Sequence, residues 1–190
     1  LITLRLILGD QLNLKHSWFE KQDENTIYVL YELHQETDYV VHHIQKLVAF
    51  FSAMRAFASD LQNQGHQVLY FDINSNASKK SLENNIKDLI SQKDIGKFEY
   101  QLPDEYRLDE QLKSICKNIN IPSKSVDSEH FLTTKEELKS FFEGKKQLIM
   151  EFFYRNMRKK YDLLMVKGQP LGGKWNFDKN NRKKWKGEPP

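Results

Sequence analysis

Two loops near the start of the chain carry side chains suited to binding a ligand. The first is residues 9–11 and the second is residues 32–39, and each follows a short apolar run. In an open parallel sheet, ligands bind beyond the carboxyl ends of the strands, where the strand order reverses. The second loop is dense in hydrogen-bonding groups, and its Glu36 carboxylate is suited to accept N–H donors from a polar ring. The two loops therefore predict a small-molecule site.

A structural interpretation of the same residues stays open. In that interpretation Asp10 caps a turn, and Glu36 complements the dipole of a helix that begins just after it, with Thr37 or Asp38 as the N-cap. The first loop has one glycine, Gly9, so it lacks the Gly-rich pattern that cradles phosphates. A dinucleotide is therefore not favoured as the ligand.

Other chemically capable residues favour structural roles. Adjacent His42 and His43 do not face each other on a helix, and no carboxylate four residues further on completes a metal site. No serine lies in a G-x-S-x-G elbow, which argues against nucleophilic hydrolysis. Cys116, the single cysteine, is predicted to pack in the core. We therefore expect no metal and no catalytic nucleophile.

Apolar patterns predict the elements that position these loops. Strands are predicted at residues 2–8, 26–31, 67–73, 97–101 and 123–126, and helices at residues 44–61, 81–90 and 109–117. Strands that are apolar on both faces and alternate with helices are typical of a covered parallel sheet. We therefore predict an α/β fold with a Rossmann-like parallel five-stranded sheet flanked by helices.

Beyond residue 131 the pattern changes. Helices are predicted at residues 134–142 and 152–165, and the breakers from Gly168 onward predict an extended linker. We therefore divide the chain into an α/β domain, residues 1–150, and a basic helix with linker, residues 151–190.

Charge is distributed unevenly along the chain. From Arg155 to the end, 11 lysines and arginines stand against 3 acidic residues, a net charge of +8. Residues 1–154 carry −5, since the total is +3. The basic end either meets a polyanion such as nucleic acid or is a solvated tail.

Composition excludes several classes of protein. With 190 residues and 39% hydrophobic side chains, the chain can bury a core without disulfides. Its longest apolar runs, such as residues 47–51, fall far short of the ~20 residues that cross a bilayer. The first eight residues lack a signal-peptide cleavage site, and a lone cysteine is typical of a reducing compartment. We expect a cytoplasmic protein with no membrane partner.

Five sequence strings together resemble one protein family. They are LILGDQL (6–12), ETDYVVHH (36–43), FSAMR (51–55), EFFYRNMR (151–158) and GGKWNFD (172–178). They resemble the deoxyribodipyrimidine photolyase-related proteins, the bacterial cryptochrome/photolyase branch that carries an iron-sulfur cluster. Members of that family are much longer. The resemblance implies that this chain is their N-terminal antenna domain with the start of the interdomain linker.

The resemblance also implies cofactors and partners. A full-length relative repairs UV-induced (6-4) lesions in DNA, or senses light, with FAD and a 4Fe-4S cluster in a helical C-terminal domain. The antenna domain holds a ribityl-lumazine that passes excitation energy to the flavin. The implied partners are therefore the protein's own C-terminal FAD domain and damaged DNA.

Site residues follow from the resemblance, carried over position by position. The residues implied to bind the lumazine are Gly9, Asp10, Gln11, Leu33, His34, Glu36 and Tyr39. Among them, Glu36 and Tyr39 match the residues that contact the ring, while Leu33 and His34 fall on pocket-lining positions. Asp178 and Arg182 match a linker region near the lesion-binding face and are implied to bind DNA.

Two other functions compete with the antenna hypothesis. One is a bare nucleic-acid-binding module, because Trp175 and Trp185 are interleaved with basic residues, a composition suited to base stacking and phosphate contact. The other is a docking scaffold whose ligand site is vestigial.

Overall fold

The computed structural model describes residues 1–178 and residue 187, which cluster into two compact units. The first unit is Leu1–Leu132 and the second is Thr133–Pro190. The sequence-based boundary after residue 150 lies inside the second unit. How the functional domains divide stays a prediction.

Parallel strands and helices alternate along the first unit. The strands are β1 (Ile2–Leu6), β2 (Thr26–Tyr31), β3 (Gln67–Phe71), β4 (Ile95–Gln101) and β5 (Ser123–Val126). The helices are α1 (His34–Asp38), α2 (Ile44–Asn63), α3 (Leu82–Gln92) and α4 (Tyr106–Asn118). Short 3-10 turns occupy Ser17–Phe19 and Asn76–Lys79. The sheet order is β3-β2-β1-β4-β5 with every neighbouring pair parallel, which confirms the predicted fold.

Helices cover both faces of this sheet because its central strands are apolar on both sides. On one face, Leu4 of β1 packs in a buried cluster with Ile86 of α3 and Ile115 of α4. On the other face, Leu30 of β2 packs with Leu61 of α2. Burying one such side chain contributes roughly 1.5–3 kcal/mol, so this double layer holds β1 and its neighbours rigidly in place. The strand order reverses at β1, which opens a crevice at the carboxyl ends of β1 and its neighbours.

The segment between β2 and the long helix differs from the prediction. Residues 34–38 form the short helix α1, so Glu36 lies inside a helix and does not precede one. The N-cap of α2 is His43, whose Nδ1 accepts the N–H of the residue two further on at 3.2 Å. The expectation that Thr37 or Asp38 caps this helix is therefore wrong, because the imidazole takes the capping role five or six residues later.

The second unit begins with two short helices. They are α5 (Lys135–Phe142) and α6 (Met150–Lys160). Thr134 and Glu137 form a capping box, in which each side chain accepts the backbone N–H of the other residue. This reciprocal pair explains why α5 begins at the predicted place.

The end of α6 comes earlier than the predicted residue 165. The buried guanidinium of Arg158 donates hydrogen bonds to the carbonyl oxygens of Leu163 and Leu164, which turns the chain out of the helix. A small antiparallel hairpin follows, with strands β6 (Met165–Val166) and β7 (Gln169–Pro170). The prediction of an extended linker from Gly168 is therefore wrong for residues 169–173, which form the second strand of this hairpin and a 3-10 turn at Leu171–Gly173. No helix in the part of the chain that the structure describes is both long and apolar enough to cross a membrane.

Candidate functional site

A cavity of about 220 Å³ lies at the carboxyl edge of the sheet, where both predicted loops meet. Its walls come from the ends of β1 and β2, from α1 and the first half of α2, and from the starts of α3 and α4. A dry cavity of about 150 Å³ already admits a benzene molecule, so this one has room for a flat ring system. It occupies the position at which α/β sheets of this topology bind ligands.

One wall of the cavity is apolar. It is built by Phe50, Phe51 and Met54 of α2. Gly9 faces this wall, and a Cβ added there would lie only 2.9 Å from the Sδ atom of Met54. Glycine thus allows the backbone after β1 to approach α2 closely, which sets the width of the cavity.

The lining of the cavity also includes a fixed carboxylate, that of Glu36. Arg107 of α4 donates from Nη2 to Oε2 of Glu36 at 2.6 Å and from Nη1 to Oε1 at 3.2 Å. Gln35 donates to the same Oε1 atom at 2.8 Å. Burial alone would raise the pKa of Glu36, but these hydrogen bonds outweigh it and hold the pKa below its ordinary value. Glu36 is therefore an ionised hydrogen-bond acceptor at neutral pH.

Aromatic and cationic groups border this carboxylate. The guanidinium carbon of Arg107 lies 4.9 Å from the ring centroid of Tyr39. His42 meets the same ring edge-on, with the two ring centroids 5.3 Å apart. The Nζ atom of Lys46 lies 3.2 Å from Nδ1 of His42. Tyr39, His42 and Lys46 all line the cavity, so a bound molecule would contact both an aromatic ring and a cation.

Asp10 lies at the open rim of the cavity. The protein atoms packed around its carboxyl group raise its pKa, and the negative charges of Asp104 and Glu105 act in the same direction. The pKa of Asp10 is therefore shifted opposite to that of Glu36. The cavity is thus lined by two carboxyl groups whose pKa values are shifted in opposite directions.

Five of the seven residues implied to bind the chromophore line this cavity. They are Gly9, Asp10, Leu33, Glu36 and Tyr39. The buried side chain of Gln11 instead donates to the carbonyl oxygen of Gln101 at 3.1 Å and accepts the N–H of Leu8 at 3.0 Å. His34 is not among the lining residues, and its Nδ1 lies 3.8 Å from a carboxylate oxygen of Asp38.

Asp178, one of the two residues implied to bind DNA, lies in the second unit. The backbone N–H of Asp178 donates to Oδ1 of Asn176 at 2.8 Å, and Asp178 borders a shallow depression that also includes Tyr154 and Trp175. Arg182 lies outside the described residues. Within residues 1–178 and 187, no three His, Cys, Asp or Glu side chains gather as metal ligands.

Three functional candidates escaped the sequence analysis. They are Lys46 and His42 as lining residues and Arg107 as the partner of Glu36. Arg107 is 71 residues from Glu36 along the chain, and nothing local to either residue indicates the pair. The usable signal was topological, since Arg107 follows the carboxyl end of β4, the strand next to β1 at the reversal of strand order.

Comparisons with known proteins find a family model and similar sequences. The family model for deoxyribodipyrimidine photo-lyase-related protein matches residues 5–190. A (6-4) photolyase of Agrobacterium fabrum (strain C58 / ATCC 33970) is 36% identical over 181 residues, which are 94% of this chain and 36% of that protein. An uncharacterized protein of Acanthamoeba polyphaga mimivirus is 29% identical over 143 residues, 72% of this chain and 69% of that protein.

Among solved structures, a universal stress protein family member from Burkholderia pseudomallei has a TM-score of 0.33 and 11% identity. The match covers 65% of this chain and 94% of that chain, and the likeness is too distant to bear on function. Among the sequence relatives, the match to the Agrobacterium fabrum photolyase covers about a third of the length of that protein. With the family model extending over nearly every residue and the photolyase 36% identical, this chain belongs to the deoxyribodipyrimidine photo-lyase-related protein family.

Proposed function

We propose that this chain is the light-harvesting, chromophore-binding domain of a cytoplasmic photolyase-like flavoprotein that repairs (6-4) lesions in UV-damaged DNA. The observation that carries the proposal is the cavity at the reversal of strand order, whose lining combines an ionised Glu36 with an apolar wall from α2. The chromophore in this proposal is a ribityl-lumazine.

The residues around the cavity fit such a molecule chemically. A lumazine is a flat heterocycle with N–H and carbonyl edges and a polyhydroxyl chain. Glu36 can accept from a ring N–H, Tyr39 and the phenylalanines of α2 offer surfaces to the ring, and Asp10 at the rim is placed for hydroxyl groups. Once bound, the lumazine would absorb light and pass its excitation energy to a flavin. The chain's own groups need only hold the ring rigid and shielded from water.

The remaining parts of the proposal concern the whole protein. FAD and a 4Fe-4S cluster would be held by a C-terminal domain, and damaged DNA would be the substrate. Support comes from the 36% identity to a (6-4) photolyase. A second possibility is that the whole protein senses light without repairing DNA. An assay of (6-4) lesion repair by the whole protein distinguishes the two functions.

A bare nucleic-acid-binding module is not favoured as the alternative. The match to the photolyase covers 94% of the chain and thus includes the sheet and its cavity, not only the basic end. In addition, the ring of Trp175 already has the cationic groups of Arg155 and Arg158 within 5.4 Å of its centroid, so its surface is partly occupied.

Fluorescence titration tests the chromophore proposal directly. The purified 190-residue chain is titrated with ribityl-lumazine and, separately, with FMN. We expect saturable lumazine binding that weakens at least tenfold in Glu36→Gln, because the lost bond is one to a charged acceptor and contributes about 1.5–3 kcal/mol.

A matched variant controls for effects of charge alone. Glu110→Gln also removes an ion-paired carboxylate on the first unit, since Glu110 pairs with Lys113 at 2.9 Å, but Glu110 does not line the cavity. Its affinity should equal that of the unmodified chain. If the unmodified chain binds no lumazine, or if both variants bind like it, the chromophore proposal is wrong and the docking scaffold becomes the better hypothesis.

A further inference from the structure

We propose that Arg107 is a positioning residue that fixes the Glu36 carboxylate as a pure acceptor and so selects ligands that present a ring N–H to this cavity. The inference rests on the proposed function, because it concerns how the same cavity distinguishes one ring from another. It concerns a residue that does not itself line the cavity, so its effect on a ligand acts through Glu36.

The first step of the inference is geometric. Two nitrogens of the guanidinium group donate to the two oxygens of Glu36, at 2.6 and 3.2 Å, which is the bidentate fork that Arg forms with carboxylates. Glu105 also holds the same guanidinium, accepting from Nε at 2.9 Å and from Nη2 at 3.2 Å. Arg107 is thus fixed by one carboxylate and in turn fixes the plane of the other.

The second step concerns what a fixed carboxylate offers a ligand. An ionised carboxylate accepts hydrogen bonds only, whereas a protonated one also donates. With Arg107 in place, the remaining lone pairs of Glu36 can satisfy an N–H group but not a ring carbonyl or an unprotonated ring nitrogen. A ring whose N–H is replaced by N–CH3 would leave the carboxylate without its partner, and sites built for hydrogen bonds reject such analogues strongly.

The third step concerns the aromatic side of the site. The guanidinium carbon of Arg107 lies 4.9 Å from the centroid of Tyr39, so the residue that orients the acceptor also restrains the ring. Tyr39 itself is 55% exposed, and its ring also meets the ring of His42. Arg107 therefore couples the two groups that the ligand contacts, and Lys at this position would keep the charge but lose the planar fork.

Other charges around the site set the pH dependence. The titratable and charged groups that line the cavity together with Glu36 are His42 ahead of α2, Lys46 on α2, Glu105 ahead of α4 and Asp10 after β1. His42 favours the ionised form of Glu36, but burial opposes it. Without the guanidinium, burial would raise the pKa of Glu36, so that binding of an N–H ligand weakens at a higher pH than in the unmodified chain.

The experiment compares Arg107→Met and Arg107→Lys with the unmodified 190-residue chain. Affinity for ribityl-lumazine and for its analogue methylated at the ring N–H is measured from about pH 7.5 to about pH 5, a range that lies above the ordinary pKa of a glutamate. Lys113→Met is the matched control, since Lys113 is also an α4 cation paired with two carboxylates and lies outside the cavity.

The unmodified chain and Lys113→Met should prefer the N–H ligand by roughly tenfold or more, with affinity level across this pH range. In Arg107→Met the preference should shrink severalfold and affinity should fall towards the acid end. Arg107→Lys should restore the level pH profile but only part of the preference. Arg107→Met behaving like the unmodified chain in both respects would overturn the inference.

A ligand-free measurement separates this inference from the proposed function. The pKa of the Glu36 carboxyl group is followed by carbon NMR in the unmodified chain and in Arg107→Met. A higher pKa in the variant supports the role of Arg107 even if no lumazine binds, in which case only the chromophore assignment is lost. An unchanged pKa rejects the role of Arg107, whatever the ligand experiments show.

Discussion

At the scale of single residues, Glu32 is the charged group most completely removed from solvent in the chain's first unit. Its side chain is 0% exposed and receives two hydrogen bonds from Arg55, at 2.7 and 2.8 Å. Tyr70 donates its hydroxyl at 2.5 Å and Ile73 its backbone N–H at 2.8 Å. Because these donors come from α2, β3 and the loop after β3, the carboxylate joins three elements beside the candidate site.

We expect Glu32→Gln to lower the free energy of unfolding by roughly 2–4 kcal/mol at neutral pH. The amide keeps the volume of the side chain, but it loses the charge that binds Arg55 and places an N–H donor against other donors. Urea unfolding followed by circular dichroism gives the difference. Glu110→Gln, which removes a solvent-exposed ion-paired carboxylate, should change the free energy of unfolding by no more than about 1 kcal/mol.

The stability difference between the unmodified chain and Glu32→Gln should depend on pH with a defined sign. Burial raises the pKa of Glu32, but the bonds from Arg55, Tyr70 and Ile73 outweigh it, so the folded-state pKa lies below the ordinary value of 4.5. The stabilisation by Glu32 is therefore complete above about pH 4.5 and is lost as the pH falls through the folded-state pKa. The difference between the unmodified chain and Glu32→Gln should shrink as the solution is made more acidic than this, and a constant difference would contradict the assignment.

At the scale of elements, Gln11 connects the loop after β1 to the end of β4. Its buried amide donates to the carbonyl oxygen of Gln101 at 3.1 Å, and its Oε1 atom accepts the N–H of Leu8 at 3.0 Å. These two strands are the pair between which the sheet order reverses, and the candidate cavity opens beside them. Gln11 thus does not line the cavity but holds together the two strand ends that form its edge.

Gln11→Ala should lower the free energy of unfolding by about 1–3 kcal/mol, because it leaves a buried carbonyl oxygen and a backbone N–H without their partner. The amide hydrogen of Leu8 should exchange faster than it does in the unmodified chain. The amides of β3, at the far edge of the sheet, should exchange at unchanged rates. Uniform acceleration over the whole sheet would mean instead that the loss is global. Lumazine affinity should fall less than in Glu36→Gln, since Gln11 makes no wall of the cavity.

Elements with strong local patterns were predictable, and those fixed by distant partners were not. The apolar run of β2 and the three- and four-residue spacing in α2 identify both from the sequence alone. Helix α1 has five mostly polar residues and no side-chain N-cap, so no periodicity marks it. Likewise, the end of α6 depends on Arg158 turning back onto later carbonyls, a contact that no local rule contains.

The residues of the candidate site also fall into those that the sequence predicts and those that depend on distant partners. The rule that parallel sheets bind ligands at the carboxyl ends of their strands is enough to place Gly9, Asp10 and Glu36 at the correct edge. The same rule points to the segment after β4, where Arg107 lies, but it does not identify the pair with Glu36, because the two residues become neighbours only when β2 and β4 both pair with β1. Sequence reasoning thus located the cavity but missed the residue whose two hydrogen bonds hold its acceptor carboxylate.

At the scale of the whole molecule, charge separates along the same boundary as the two compact units. Residues 1–132 contain 14 basic and 19 acidic residues, a net charge of −5, and residues 133–190 carry +8. All the residues that line the candidate cavity, from Leu6 to Leu108, belong to the acidic unit. The chromophore binding that we propose and any contact of the basic end with a polyanion would therefore fall on different parts of the chain.

This division predicts the behaviour of a chain shortened after Leu132. Both buried clusters lie within residues 1–132, so the shortened chain should unfold cooperatively in urea and bind ribityl-lumazine with the affinity of the full chain. Its affinity for duplex DNA should be lost, because an acidic surface repels phosphates, whereas the full chain should bind DNA with an affinity that falls steeply as salt increases. DNA binding that survives the truncation would place the contact on the sheet domain instead, and lumazine binding lost from a folded shortened chain would show that the second unit helps to build the chromophore site.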